Sequence, residues 1–384
     1  MRPERIESIE NTTSDPGRSR EESGRPSVSR REFLRRFGIG SMALGFGMSR
    51  GILEGIEAKE AKMNLEALLE EKNGEYPAVR VEFVYAPHRT AEDMQKLRER
   101  IAEADVVVLE GSGWKLDELK AWRDLSEGAI TPAQVFKKLE MSPENQNDLK
   151  WLGEYEIIYN SHKAVDSIDV PYGHALNTEI TDHLGTPMYF YDGNFEKALE
   201  SMKKHTKNWA EIQKKREAYM LSRLKEVAKE RALPDQKGKL NILISIGAVH
   251  TGMWHRLESE GVDTRAAFSS MPFIFNMEDE LLRKYLFGKT ADSELVAHAL
   301  LENIFLNQFG WPLTNDTEKA MLFFRKLVSR FTVSEIKEMF EAMKDKKFNE
   351  RSDILTKKFT AKHIRWPRNK EEVDDFLDLK MPPK

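Results

Sequence analysis

The chain has 384 residues, of which 40% are hydrophobic and 32% are charged, and its net charge is −4. These values are typical of a globular protein with one large domain or two ordinary ones, and not of a membrane protein. The small negative charge gives no general attraction to nucleic acid, so no nucleic-acid partner is expected. Because the chain has no cysteine, disulfides, cysteine nucleophiles and thiolate metal sites are excluded, and any metal needs His, Asp, Glu or water as ligands.

Residues 1–60 are predicted to be a disordered tail followed by an export signal. The paired arginines Arg30 and Arg31 precede an apolar pair, a further arginine and the weakly apolar, glycine-containing segment 37–48. This order resembles a twin-arginine signal, which implies the twin-arginine export machinery as a partner and a periplasmic or extracellular location. The twelve residues of segment 37–48 are too few for a membrane-spanning helix, which needs about 20, so no stable transmembrane segment is expected. The alternative is an arginine-rich tail with a short amphipathic helix.

Residues 61–275 alternate strand patterns with helix patterns. Segment 78–86 has the period-two alternation of a strand and is followed by His88, then by a helix with one apolar face. The next strand, 105–109, ends at Glu110. This order predicts a βαβ unit whose parallel strands end at the same edge of the sheet. His88 and Glu110 are therefore expected at one sheet edge.

Segment 239–262 has the clearest strand–turn–helix pattern of the chain. Its run Ile242–Ile246 is apolar apart from Ser245, as expected for a strand buried on both faces, and Gly247 ends it before a helical pattern begins. His250 therefore lies at the carboxyl end of a strand, where ligands bind in open α/β sheets. The alternative is a structural histidine that caps the start of the helix.

A long helix is predicted over 195–229, and its apolar face contains one charged residue. At about 100° per residue, Arg216 falls near the centre of that face. An unpaired buried guanidinium is costly, so a carboxylate partner is expected, and the candidates are Glu110 and Asp169, near the end of a strand predicted over 164–170. Alternatively, the arginine extends past the edge of the core.

Residues 276–384 have helical patterns throughout, with helices predicted over 277–287, 293–309, 317–331 and 333–344. The sequence therefore predicts an α/β protein with a mostly parallel sheet flanked by helices and a helical C-terminal region. The expected divisions are the tail and signal at 1–60, the α/β domain at 61–275 and the helical region at 276–384.

The candidate site combines His88, Glu110 and His250, which each follow a predicted strand, with Arg216 on the long helix. Two imidazoles and a carboxylate can hold a divalent metal that keeps open positions for water. The same side chains can also act without a metal, because a histidine can activate water while an arginine stabilises an oxyanion. The residue types leave both mechanisms open.

Three short motifs also carry a family resemblance. The late motif is Gly247-Ala248-Val249-His250, the second strand is VVVLE ending at Glu110, and the helix carries Arg216-Glu217 with Met220. These motifs, in this order over roughly residues 79–268, resemble the superfamily that joins TraB/Tiki-type metalloprotease-like proteins with erythromycin esterase-like and ChaN-like haem-binding proteins. The early motif differs, because Tyr85-Ala86-Pro87-His88 has tyrosine where that family has glycine.

The resemblance implies a hydrolase that cleaves an ester or amide in a small-molecule or peptide substrate, and the twin-arginine signal implies that it is exported. His250 and Glu110 would activate a water, and in a metal-assisted form His88 would join them as a ligand. Arg216 would orient Glu110 or stabilise the developing charge. One alternative is a non-enzymatic ChaN-like protein that holds haem or iron, with Tyr85 as a haem ligand. Another is an interaction protein that docks through its C-terminal helices.

Overall fold

The computed structural model describes residues 78–86, 91–141, 146–185, 193–232, 238–268, 275–310 and 317–378. The twin-arginine segment and His88 lie outside these residues. The fold and the candidate site are therefore built from the other predicted elements.

Five strands form one sheet in which every pairing is parallel, in the order β3-β2-β4-β1-β5. The strands are β1 (Val79–Ala86), β2 (Val106–Leu109), β3 (Ala164–Asp166), β4 (Leu240–Gly247) and β5 (Asp263–Phe268). The central strand β4 and its neighbour β2 are almost entirely buried, as their apolar sequences predict. Because β4 lies between β2 and β1, the end of β4 lies between the ends of the strands that precede Glu110 and His88.

Strand β3 is shorter than the predicted 164–170. The side chain of Asp166 accepts a hydrogen bond from the Ser167 amide (3.0 Å), and that of Asp169 accepts one from the Val170 amide (2.8 Å). Aspartate side chains that bind nearby backbone amides compete with the hydrogen bonds of a sheet. The chain therefore leaves the sheet after Asp166, and Asp169 lies in the segment that follows.

Helices cover both faces of the sheet and make up the described part of the C-terminal region, as predicted. In the first region they are α1 (Ala91–Ile101), α2 (Leu116–Ser126), α3 (Pro132–Lys138), α4 (Gln146–Ile158), α5 (Ala175–Gly185), α6 (Phe195–Arg231) and α7 (Thr251–Ser259). In the C-terminal region they are α8 (Met277–Leu286), α9 (Ser293–Phe309), α10 (Thr317–Val328), α11 (Val333–Ala342), α12 (Phe348–Ala361) and α13 (Lys370–Asp378). The last two helices have no counterpart among the predicted ones.

The long helix α6 contributes to two of the hydrophobic cores. Its first half contributes Leu199 and Met202 to a core that also contains residues of α8 to α13. Its second half contributes Met220 and Leu224 to the core beneath the sheet. Arg216 lies between these two halves and is completely buried, so the prediction that it occupies the inward face is confirmed.

The helix α9 is the centre of the C-terminal region and is buried on nearly all sides. It includes the buried Glu302, whose Oε2 accepts hydrogen bonds from the Met277 and Glu278 amides (2.8 and 3.2 Å) at the start of α8. A helix that is apolar all round belongs to a protein core or to a membrane. Among the helices of the described ranges, none is both long and apolar enough to cross a membrane.

Candidate functional site

His250 lies at the carboxyl edge of the sheet, as predicted. Strand β4 ends at Gly247, one 3-10 turn spans Ala248–His250, and α7 begins at Thr251. The residue flanks the start of α7, but its side chain makes no capping hydrogen bond there. The imidazole is fully buried, with Nδ1 3.2 Å from Glu217 Oε1 and Nε2 3.4 Å from Glu110 Oε1. The imidazole therefore faces two carboxylates rather than the end of the helix.

Arg216 links three of the site's side chains. Its Nε and Nη2 donate to the two oxygens of Asp169 at 2.8 and 2.5 Å, and Nη2 also donates to Glu110 Oε1 at 3.0 Å. Its Nη1 lies 3.1 Å from His250 Nε2. Burial disfavours the charge, but Asp169 and Glu110 outweigh it and raise the pKa of Arg216 above its ordinary value. Both predicted carboxylate partners therefore contact this guanidinium.

Backbone amides hold the two carboxylates in place. Glu110 Oε2 accepts a hydrogen bond from the Gly247 amide at 2.5 Å, across the pairing of β2 with β4. Asp169 accepts from the Gly111 amide at 3.1 Å and from the Val170 amide at 2.8 Å. Charged acceptors that receive both backbone and arginine donors have well-defined positions. The network is therefore fixed by the sheet edge itself.

Glu217 is a member of the site to which sequence reasoning assigned no role. It follows Arg216 on α6 and reaches His250 from the side opposite Glu110. A Cβ atom on Gly252 would lie 2.6 Å from Glu217 Oε2, so the glycine at this position of α7 makes room for the carboxylate. The signal was present in the Arg216-Glu217 pair, but helical spacing alone does not show which neighbour of a buried arginine meets a distant histidine.

The proton on His250 can be held in two ways. In the neutral ring, Nε2 accepts from Arg216 and Nδ1–H donates to Glu217, because a guanidinium cannot accept a hydrogen bond. In the protonated ring, Nε2–H donates to Glu110 instead. Burial and the charge of Arg216 oppose protonation, but the hydrogen bonds to Glu110 and Glu217 outweigh them and raise the pKa of His250 to about 8. The neutral and protonated forms of His250 therefore differ in which neighbour, Arg216 or Glu110, is hydrogen-bonded to Nε2.

Tyr85 packs directly beneath this turn. Its hydroxyl donates to the His250 carbonyl oxygen at 3.3 Å, and its ring stacks on Phe83 and Phe268 with centroid separations of 5.5 and 5.2 Å. Burial raises the pKa of the phenol. In this arrangement Tyr85 supports the backbone of His250, and its predicted role as a haem ligand stays a prediction.

The predicted metal centre stays a prediction, because one of its three ligands lies outside the described residues. Over the ranges that the structure describes, no group of three or more His, Asp or Glu side chains is placed to hold a metal ion. Arg216 lies against both His250 Nε2 and Glu110 Oε1, so a guanidinium already occupies the donor atoms that a metal would need. Since His88 lies outside these ranges, its role as a ligand stays a prediction.

Among the described side chains of the network, those of Glu110 and Glu217 are the ones that reach solvent. The side chains of Arg216, Asp169 and His250 are fully buried, whereas those of Glu110 and Glu217 are 9% and 14% exposed. These two glutamates are therefore the described members of the network that a solvent-borne molecule can reach. A separate shallow pocket, lined by residues that include Arg80 and Arg100, lies at the opposite edge of the sheet and contains none of the site residues.

Comparisons of the chain with protein-family models, with curated proteins and with solved structures find no match. The class of protein is therefore defined by the fold and the site themselves. It is an α/β protein with a five-stranded parallel sheet and a helical C-terminal region. Its carboxyl sheet edge carries a buried His-Glu-Arg-Asp network, and the superfamily resemblance of its short motifs stays a prediction.

Proposed function

We propose that this protein is an exported hydrolase that cleaves an ester or amide bond, with His250 and Glu110 as its proton-transferring pair. The observation that carries the proposal is a buried imidazole held between two carboxylates at the carboxyl edge of a parallel sheet. Ligands bind at this edge in open α/β sheets. A pKa of about 8 for His250 also suits general acid–base catalysis, which works best when the pKa of the group lies near the operating pH.

The reaction begins at the exposed edge of Glu110. A water bound there gives a proton to the Glu110–His250 pair while its oxygen attacks the carbonyl carbon of the substrate. The departing alcohol or amine takes this proton back as its bond to the carbonyl carbon breaks, so the pair returns to its starting state. General acid–base catalysis of this kind contributes roughly 10²- to 10⁴-fold to a rate.

Two further residues act by positioning this pair. Arg216 is fully buried and does not touch the substrate, but its hydrogen bond fixes Glu110, and its charge lowers the energy of negative charge that develops nearby. Glu217 holds Nδ1 of His250, as the acidic member of a catalytic triad holds its histidine in one orientation. Without a carboxylate at Nδ1, the ring could rotate away from Glu110.

Paired substitutions test the proposal. Glu110→Gln and His250→Gln should each lower the turnover of p-nitrophenyl esters or p-nitroanilide amides by about 10²- to 10⁴-fold. The matched control is His255→Gln, whose side chain lies on α7 and is 53% exposed, and it should keep full activity. Because His250 is buried among charged groups, each rate is measured per folded molecule, with the urea midpoint recorded alongside. Unchanged turnover in both variants, or no turnover of either substrate type by the unaltered protein, would refute the hydrolase.

The same preparation addresses the haem-binding alternative. Reconstitution with haem should give no stable absorption band, because the Tyr85 phenol is buried and bonded to a backbone carbonyl. A haem band that disappears in Tyr85→Phe would favour the ChaN-like alternative over hydrolysis.

The export part of the proposal rests on Arg30 and Arg31. Replacing both with lysine should leave the protein in the cytoplasm of the producing cell, as fractionation would show. Export that continues in this variant would rule out the twin-arginine route.

A further inference from the structure

The helical C-terminal region contributes one charged side chain to the candidate site. Arg283 on α8 donates from Nη1 to the Ala248 carbonyl oxygen at 3.2 Å and to Thr251 Oγ1 at 3.0 Å. Ala248 begins the turn that carries His250, and Thr251 follows that turn as the first residue of α7. The guanidinium is therefore fixed to the turn that places the imidazole, although 33 residues separate the two in sequence.

Arg283 differs from the other arginines around it because no carboxylate of the described residues lies within ion-pairing distance of its guanidinium. Within the described part of the chain it forms no ion pair, and its Nε and Nη2 atoms make no hydrogen bond. By contrast, Arg325 on the neighbouring α10 pairs with Glu280 at 2.6 Å, and Arg216 pairs with two carboxylates. The half-buried guanidinium of Arg283 can therefore donate hydrogen bonds from Nε and Nη2 to a further group.

The surroundings of Arg283 favour an anion at that edge. The ring of Phe275 lies 4.1 Å from the guanidinium carbon and that of Phe287 lies 5.7 Å away, so apolar groups replace part of its hydration. This burial lowers the pKa of Arg283, and the charge of Asp279 on the same helix and, less strongly, that of Glu217 act on the pKa in the opposite direction. A charge that has lost water without gaining a partner binds an oxyanion more strongly than an exposed one does.

We propose that Arg283 binds an anionic oxygen group of the substrate, so that the proposed hydrolase acts on esters or amides that carry a carboxylate or a phosphate. The planar guanidinium matches either group through two parallel N–H···O hydrogen bonds. Because Nη1 is tied to the turn before α7, the bound anion lies at a fixed distance from His250. Arg283 thereby selects substrates by the separation between their anionic group and the bond to be cleaved. The assignment of the substrate rests on the proposed function, whereas anion binding itself does not.

Acetate and inorganic phosphate are the probes for this site, and isothermal titration calorimetry on the full chain measures their binding. The unaltered protein should bind at least one of them saturably, and the stronger of the two identifies the carboxylate or the phosphate form of the ligand. Arg283→Gln should weaken binding by about tenfold or more, which corresponds to about 1.4 kcal/mol. Arg283→Lys keeps the charge but loses the paired donors, so its affinity should lie between the other two.

The matched control is Arg256→Gln on α7, because the side chain of Arg256 is 53% exposed and pairs with Glu260. This variant should bind acetate and phosphate as the unaltered protein does. Equal binding by Arg283→Gln and the unaltered protein, or the absence of saturable binding, would overturn the anion site. The anion site would also be overturned if Arg283→Lys and Arg283→Gln lost anion affinity to the same extent and the urea midpoints of both fell strongly. That result would indicate a structural role for Arg283.

The two proposals fail in different ways. Glu110→Gln should lose turnover and keep anion binding, whereas Arg283→Gln should lose anion binding. If Glu110→Gln kept its turnover while Arg283→Gln lost the anion, the hydrolase mechanism would be wrong and the anion site would stand. If Glu110→Gln lost turnover while Arg283→Gln bound anions normally, the anion site would be wrong and the hydrolase would stand.

Discussion

The ion pair between Asp169 and Arg216 allows a quantitative test of the buried network. Asp169→Asn keeps the shape of the side chain but removes its charge and turns an amide group towards the guanidinium. Both side chains are fully buried, and removing one partner of a buried pair costs about 3–5 kcal/mol because the other charge is left without compensation. Glu110 remains on Arg216, so we expect the lower end, about 3 kcal/mol. This is a large part of the roughly 5–15 kcal/mol that stabilises a typical protein.

Urea unfolding followed by circular dichroism measures this loss through the shift in the midpoint. The control is Asp263→Asn, which removes a carboxylate that is 29% exposed and pairs with Arg80 and Lys239. An exposed pair of this kind contributes about 0–1 kcal/mol. If Asp169→Asn cost no more than Asp263→Asn, then Arg216 would not depend on Asp169, and the account of the network as one coupled unit would be wrong.

Two further predictions concern the pH dependence of stability and the position of Glu217. Burial opposes the positive charge of His250, but the neighbouring carboxylates outweigh burial and raise the pKa of His250 to about 8. Burial raises the pKa of the Glu302 carboxyl to about 8 as well. The folded pKa of His250 exceeds its unfolded value of about 6.5, so its stabilising contribution is complete below about pH 6.5 and is lost as the pH rises through 8. Ionisation of Glu302 also lowers the stability as the pH rises, so the urea midpoint should fall from pH 6 to pH 9. The fall should be less steep in Glu302→Gln, and equal slopes for the two proteins would contradict the burial argument. Gly252→Ala should displace Glu217 and lower turnover several-fold with little change in the urea midpoint. The control is Gly185→Ala, where a Cβ meets open space, and it should change neither turnover nor the midpoint. Full activity of Gly252→Ala would show that the orientation of Glu217 is unimportant.

The parts of the site that could be predicted from sequence depend on local patterns. The buried strand, the glycine and the helical spacing around His250 are all signals within about twenty residues, and they place its imidazole correctly at the sheet edge. Periodicity along α6 likewise places Arg216 on the inward face, and the cost of burying a charge predicts its carboxylate partners. Glu110 and Asp169 both fulfil that role in the structure.

The parts that could not be predicted depend on long-range packing. Nothing in the sequence shows that β4 pairs between β1 and β2, although this order brings His250 next to Glu110. Arg283 lies on a helix whose pattern indicates only an ordinary amphipathic element, and its role depends on how α8 packs against the turn at Ala248. Glu217 has the same difficulty, because a helix pattern gives the direction of a side chain without naming what it meets.

The charges around His250 connect these observations. The described side chains of the site carry three negative and two positive charges when the imidazole is neutral, from Glu110, Asp169 and Glu217 against Arg216 and Arg283. Burial and the charge of Arg216 oppose a proton on His250, but the hydrogen bonds to Glu110 and Glu217 outweigh them, which is why the pKa of His250 lies above its ordinary value. An anion bound at Arg283 would make the site more negative and would further favour that proton. Anion binding at Arg283 and protonation of His250 should therefore support each other.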